Sequence, residues 1–196
     1  MITVEKLLKF VEFINSFQKI QRQILVKNED RHENDLEHVG QLALVSWYFI
    51  ASEDLNLDVE KVLKYSLAHD LVEVYSGDVY IFTKVQEEKD KKEEREHEAL
   101  ETIRKEFPEF ADLHNYIEAY EQRKDDEAKF VYALDKVLPV INIYLDNGRQ
   151  WRLNNVTLDM LKDNKTPKVK ISKEVYDVWQ EFVELLEKHK NLFPKD

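Results

Sequence analysis

Leu67-Ala68-His69-Asp70-Leu71-Val72-Glu73 joins a histidine to an aspartate inside an apolar run and sets a carboxylate four residues after the histidine. Neither polar side chain sits cheaply among Leu67, Ala68, Leu71 and Val72 without a partner. Around the pair, Val62, Leu63, Leu67, Leu71 and Val74 recur at helical spacing, with Asp58 as a cap before them and Ser76-Gly77-Asp78 as a stop after them. The spacing predicts one helix over residues 58–76 that carries His69, Asp70 and Glu73. A buried His-Asp hydrogen bond and half of a metal site explain the pair equally well at this point.

Helical spacing continues on both sides. Leu7, Leu8, Val11, Ile14, Phe17 and Ile20 predict an amphipathic helix over residues 3–22. The period is lost over residues 25–36, which read as a charged connection ending at an Asn34 or Asp35 cap. A second helix is expected over residues 36–51, with Val39, Leu42, Ala43, Trp47 and Ile50 toward one face. Residues 79–84 read as loop, and residues 86–106 as a helix whose mixed Glu, Lys and Arg suit a solvated face. Pro108 precedes a shorter helix with Leu113, Tyr116, Ile117 and Tyr120. The next helix covers residues 125–145, holds Pro139 as a kink and stops at Asp146-Asn147-Gly148. A short helix over 158–162 and a final one over 172–190 flank Asn164-Lys165-Thr166-Pro167, which reads as a turn or exposed loop.

In 196 residues there are only 3 glycines and 4 prolines, too few punctuators for the turns of a sandwich or barrel, while 43% hydrophobic residues can fill one core. The reading is all-α, a single domain over residues 1–196. With 40 acidic against 29 basic side chains the formal net charge is −11, and no extended basic cluster tracks a nucleic-acid backbone. Nucleic acid is therefore not an expected partner. A small phosphate ester is still compatible, because local arginines and a cation reverse the field inside a pocket. The chain has no cysteine, so a metal would be held by His, carboxylate and water. No signal-type apolar core follows a basic start and no segment suits a bilayer span, so the cytoplasm is the expected location, away from membranes.

Of the histidines, His97, His114 and His189 sit in charged helical surroundings and read as surface or packing residues. His38 follows Arg31-His32-Glu33-Asn34-Asp35-Leu36-Glu37 near the start of the second helix. Asp135 lies inside Tyr132-Ala133-Leu134-Asp135-Lys136-Val137-Leu138, where a lone carboxylate is costly. His38, His69, Asp70 and Asp135 from three helices would make a divalent site with room for water. Such donors suit Mn, Fe, Co or Zn, and Mg less well because of the imidazoles.

The order His38, His69-Asp70, Asp135 resembles the H…HD…D signature of the HD superfamily of metal-dependent phosphohydrolases. More narrowly, Arg31-x-Glu33-Asn34-x-x-Glu37-His38 with His69-Asp70-x-x-Glu73-x-x-x-Gly77-Asp78 resembles its 5′-deoxynucleotidase branch over about residues 5–145, leaving 146–196 as a C-terminal helical extension. The resemblance implies an HD-domain helical bundle with one divalent metal on His38, His69, Asp70 and Asp135. The implied activity is release of phosphate from a (deoxy)nucleoside 5′-monophosphate by a metal-bound water, whose pKa the ion lowers. Glu73 is implied as general acid or base, and a helix would set it one turn beyond His69, facing the same pocket. Asp78 is implied to orient water or the sugar. Arg31 is a candidate phosphate ligand through its forked guanidinium, or else a salt-bridge partner of Glu33 or Glu37. Arg22 stands at the family's substrate-binding arginine, but Gln23 follows it where the family has an aromatic residue. Val79-Tyr80-Ile81-Phe82-Thr83 likewise replaces a loop that often carries prolines. A homodimer is also implied, for which Trp179 and Phe182 offer either an interface or a cap on the chain's own core.

Two other readings compete. One is an HD phosphohydrolase for another small phosphate ester or nucleotide, since one fold hosts many substrates. Alarmone hydrolysis in related HD enzymes uses His-Asp-x-x-Glu-Asp, and Val74 after Glu73 removes the second acid. The reading from a different class is a non-catalytic helical binding protein. Glu73 facing an open position argues against it, because a closed structural site has no use for that carboxylate.

Overall fold

The structure is a computed structural model describing residues 2–77 and 86–194, with side chains described from residue 94 in the second stretch. The expected loop at 79–84 lies outside the described residues. The elements are α1 (Val4–Phe17), β1 (Gln21–Leu25), β2 (His32–Asn34), α2 (Asp35–Glu53), α3 (Val59–Ala68), α4 (Glu73–Ser76), α5 (Gln86–Glu106), α6 (Ala111–Glu121), α7 (Asp126–Leu145), α8 (Arg149–Leu153), α9 (Leu158–Val169) and α10 (Lys173–Lys188). A 3₁₀ turn at Lys190–Leu192 follows. The all-α reading holds, with one two-stranded hairpin added.

Side-chain caps set where the helices begin. Asp58 accepts from the Lys61 amide at 3.2 Å, Asp125 from Ala128 at 2.9 Å and Thr157 from Met160 at 3.2 Å. Asn34 and Glu37 form a reciprocal box at the start of α2, each side chain taking the other's amide at 3.0 Å. Asp58 and Asn34 are legible as caps in the sequence because each precedes an apolar period; Asp125 and Thr157 carry no such reading there.

Four local expectations are corrected. First, α1 stops at Phe17, and the residues after it form an antiparallel pair, Gln21 opposite Asn34 and Leu25 opposite His32. Strands this short carry no alternating apolar run, so periodicity cannot announce them. Second, the helix expected over 58–76 ends at Ala68. The amides of Leu71, Glu73 and Val74 reach back three residues, to Ala68, Asp70 and Leu71 at 3.2, 2.9 and 3.3 Å, so His69 and Asp70 sit on tight turns between α3 and α4. Third, Asn164–Pro167 is inside α9. Leu161, Lys165 and Val169 are buried at intervals of four along it, a stripe hidden in the sequence by the lysine at its centre. Fourth, Trp47, expected toward one face with Val39, Leu42, Ala43 and Ile50, is 55% exposed while those four are buried.

Two cores result. The larger centres on α7, with Leu134, Val137 and Leu138 packed among Leu42 and Ile50 of α2, Val62 and Tyr65 of α3, and Leu161, Val169, Val175, Trp179 and Leu186 from the C-terminal helices. Trp179 is 1% exposed, so it caps its own chain's core. The smaller core joins Phe13 and Phe17, Val39, Ala68, Leu71 and Val72 to Ile103, Phe107 and Ile117. His38 precedes Val39 of the small core, and Asp135 follows Leu134 of the large one. The polar residues singled out in the sequence therefore lie on the seam between the two. No helix among the described residues is long and apolar enough to cross a membrane.

Candidate metal centre

Local structure explains the Arg-x-Glu-Asn-x-x-Glu-His pattern before any chemistry is invoked. The Arg31 guanidinium forks onto both oxygens of Glu37 at 2.8 Å, and Glu37 closes the Asn34 box, so the first turn of α2 is tied to the hairpin. That bond to Arg31 holds the Glu37 carboxyl below its ordinary range. One residue further, His38 is driven fully into the interior.

His38, His69 and Asp135 bring ligand atoms to within 4.8 Å of one another, a group that can hold a metal ion. His38 Nε2 is 3.0 Å from Asp135 Oδ1, and His69 Nε2 is 3.9 Å from the same oxygen. Asp70 stands beside them, its Oδ2 3.1 Å from His69 Nε2 and 3.8 Å from His38 Nε2. All four residues expected as ligands therefore converge. His69 Nδ1 is 3.0 Å from the Ser66 carbonyl, which assigns the proton to that nitrogen and leaves the Nε2 lone pair directed at the carboxylates. Nε2 is buried without a hydrogen-bond partner. A lone pair set against two carboxylate oxygens is repulsive until a cation sits among them, so this donor set fits a divalent ion. Without an ion the same carboxylates favour a proton: burial works against it, yet Asp70 and Asp135 raise the His69 pKa. For His38 burial prevails, with Arg22 assisting, and its pKa falls.

A second layer surrounds these four. Arg22 on β1 donates to Asp70 Oδ2 at 2.7 Å and lies 3.4 Å from Asp35 and 3.6 Å from Glu33. Burial disfavours the charge on Arg22, but Asp70, Asp135, Glu73 and Asp35 keep it protonated. Burial likewise disfavours ionised Asp70, yet His69 and Arg22 hold its carboxyl far below the usual range. Glu73 is buried and has an oxygen within 4.8 Å of those of Asp35 and Asp70. The turn at His69–Val72, rather than a continuous helix, brings it there. Glu33, 3.8 Å from His38 Nδ1, is pushed by burial up to about 7 against the pull of Arg22. Lys136 sits 2.5 Å from Asp135 Oδ2, and the Tyr120 ring lies 5.1 Å from that of His69.

Arg31 is placed apart from this cluster, half-exposed and committed to Glu37 and Glu29. Asp78 lies outside the described residues. Sequence reasoning assigned no site role to Glu33, Asp35, Lys136 or Tyr120. Glu33 was visible inside the quoted motif, and Lys136 as the cation beside a lone buried carboxylate; Asp35 read only as a cap and Tyr120 only as core.

A family model described as the HD domain matches residues 14–179. The chain belongs to the HD-domain family. Among curated relatives, this HD protein is 28% identical over 133 residues to 5′-deoxynucleotidase HDDC2 of Mus musculus and 29% identical to that of Homo sapiens, matching 66% of this chain in both cases. The match spans 64% and 63% of those relatives' lengths. A crystal structure described as a predicted metal-dependent phosphohydrolase from Magnetospirillum magnetotacticum superposes on the HD protein with a TM-score of 0.81 and 25% identity, covering 100% of both chains. A structure from Pyrococcus horikoshii, at 20% identity and TM-score 0.60 over 97% of this chain and 99% of its own, shares the fold.

Proposed function

We propose that this HD-domain protein is a metal-dependent phosphohydrolase that removes phosphate from (deoxy)nucleoside 5′-monophosphates. The observation that carries the reading is the cysteine-free donor set of His38, His69, Asp70 and Asp135, with the His69 Nε2 lone pair buried and unbonded. Those four residues would hold the ion. Manganese, iron, cobalt and zinc suit two imidazoles with two carboxylates better than magnesium does. When bound, a divalent ion supplies a water of lowered pKa and polarises a phosphoryl oxygen.

The chain's own groups divide the remaining work. The Ser66 carbonyl fixes the His69 ring in the tautomer that offers Nε2. Arg22, held protonated beside Asp70, stands where it can spread phosphoryl charge. Glu73, carried to the cluster by the turn after α3, is the carboxylate we assign to proton transfer. Asp78 keeps its assignment as an orienting residue on the resemblance alone, and Arg31 is better used as the strut of α2. The name of the curated relatives supports a nucleotide substrate.

Protein stripped and reloaded with Mn or Co is expected to hold about one ion per chain, on the four-ligand pattern of single sites. It should release phosphate from nucleoside 5′-monophosphates in a malachite-green panel. Release from other phosphoesters alone would move the substrate, and no release from any ester at full occupancy would overturn the enzyme reading.

A further inference from the structure

Each imidazole of the centre has a second ring nitrogen, and the fold treats the two rings differently. His69 Nδ1 lies 3.0 Å from the Ser66 carbonyl and is satisfied. His38 Nδ1 is buried, and among the described residues it has no hydrogen-bond partner. On the other side of that ring, Nε2 lies 3.0 Å from Asp135 Oδ1, a contact between two acceptors unless Nε2 carries the ring proton. One nitrogen cannot carry that proton and also offer a lone pair to a cation. With Nε2 used as a ligand, the single proton of the neutral ring belongs on Nδ1, and a buried N–H there requires an acceptor.

Two more buried atoms without hydrogen bonds stand beside it. Glu33 Oε2, an acceptor, lies 3.8 Å from His38 Nδ1, and Arg22 Nε, a donor, lies 3.6 Å from the same oxygen. Neither has a hydrogen-bond partner among the described residues. Three groups that can satisfy one another are thus held about 0.5–1 Å beyond ordinary hydrogen-bond length. The hairpin keeps them together: Gln21 of β1 pairs with Asn34 of β2, and the next residues along, Arg22 and Glu33, are neighbours across the strands. Glu33 belongs to neither group of donors close enough to share an ion, so it stands next to the centre without being a ligand.

We propose that Glu33 is a positioning residue of this centre, whose Oε2 accepts a hydrogen bond from His38 Nδ1, committing Nε2 to the cation, and a second from Arg22 Nε, setting the guanidinium beside Asp70. The proposal rests on the metal-dependent phosphohydrolase reading for the use made of His38 and Arg22, and on the three unbonded atoms for the contact itself. A carboxylate behind a ligating imidazole fixes the ring's orientation and raises its basicity. Here the same oxygen also reaches the arginine assigned to the phosphoryl group, so β2 ties a metal ligand on α2 to a substrate residue on β1. The proton stays on Nδ1 and no covalent bond changes.

The test uses the full chain loaded with zinc, a d¹⁰ ion suited to magnetic resonance, at pH 8, above the value to which burial lifts the Glu33 carboxyl. Nitrogen-15 correlation spectra of the imidazole rings should show His38 with its proton on Nδ1, in slow exchange with solvent. Glu33→Gln keeps the shape and an acceptor but removes the charge, so that proton should move upfield, and the Arg22 Nε proton with it. The Nδ1 proton of His69, which donates to Ser66, should stay where it is. Zinc affinity, read by chelator competition, should fall roughly 10- to 100-fold in Glu33→Leu and less in Glu33→Gln. A His38 resonance unchanged by Glu33→Gln, or a ring proton on Nε2 in the zinc-loaded wild type, would overturn the assignment, even if Glu33→Leu did not fold. Equal movement of the His38 and His69 protons would also count against it, as a general disturbance of the site. If the His38 proton depends on Glu33 while no ester is turned over, the positioning role stands and the phosphohydrolase reading falls.

Discussion

Asp70 illustrates how one residue serves two neighbours. Its Oδ2 lies 3.1 Å from His69 Nε2 and 2.7 Å from Arg22 Nη1, so the same oxygen faces a candidate ligand set on one side and a guanidinium on the other. Asp70 shares one cluster of carboxylates with Glu73 and Asp35, apart from His38, His69 and Asp135, but its Oδ2 lies 3.1 Å from His69 Nε2, and that approach is the ground for assigning Asp70 to holding the ion and Glu73 to working beside it. Asp70→Ala is expected to lose the metal, read by elemental analysis after gel filtration, together with all turnover. Glu73→Ala is expected to keep the metal and lose about 100-fold or more in kcat, the range for removing a general acid or base. Unchanged turnover in Glu73→Ala would remove its assigned role. His69, Asp70 and Asp135 could be read from the sequence because each is a polar side chain in an apolar run, and His38 because it closes the Arg31–Glu37 motif. In the second layer Arg22 was legible only through the resemblance, and its contacts with Glu33, Asp35 and Asp70 were not, because they form through a hairpin that has no periodic signature.

At the scale of elements, the spacing of His69 and Asp135 depends on how α3 lies against α7, and Asp125 sets that contact. As the cap of α7 it accepts from the Ala128 amide at 2.9 Å, and it also accepts from Tyr65 Oη at 2.9 Å and Lys61 Nζ at 2.8 Å, both on α3. Asp125→Ala is expected to cost about 2–3 kcal/mol, from the cap and the tyrosine bond, with the half-exposed lysine discounted for screening. The urea midpoint reports it. Burial opposes ionisation of Asp125, but Lys61, the Ala128 amide and Tyr65 prevail and lower its pKa. A carboxyl depressed in the folded state contributes stability that is fully present above its unfolded value of roughly 3.9 and is lost as pH falls through the folded value. The wild type should therefore lose more stability than Asp125→Ala between about pH 4 and pH 2. Parallel losses would show that Asp125 is not ionised differently in the folded chain. The start of α7 at this residue was legible; the break after Ala68 was not, since Val62, Leu67, Leu71 and Val74 keep a helical period straight through turns whose hydrogen bonds change to three residues. Lys165 was misread for the reverse reason, a charged residue and a proline masking a buried helical stripe.

Across the whole molecule, the chain's end is connected to the metal centre through one corner. Gly148 follows α7 with φ at +66°. Immediately after it, α8 grips the β1–β2 hairpin: Gln150 accepts from the Leu25 amide at 2.8 Å and donates to the Gln23 carbonyl, and Arg149 reaches the carbonyls of Val26 and Glu29. On its other side, Trp151 stacks on Phe193 with ring centres 4.5 Å apart, and Arg152 donates to the Leu192 carbonyl at 3.1 Å. The hairpin held this way is the one that delivers Arg22. A β-carbon at Gly148 would collide with the Leu192 carbonyl and come within 2.8 Å of its Cβ, in a backbone conformation that L side chains avoid. Gly148→Ala is therefore expected to cost about 2–4 kcal/mol, strain and overpacking together. Gly40 supplies the contrast, because it lies inside α2 with no atom of the described residues within 4 Å of an added β-carbon. Gly40→Ala should stabilise by about 0.4–1 kcal/mol through the unfolded chain. Urea unfolding of the pair reads both signs at once. If both variants shifted the midpoint equally, the close approach at Gly148 would not be what holds the C-terminal segment on the corner, and α8 would have to anchor the hairpin without it.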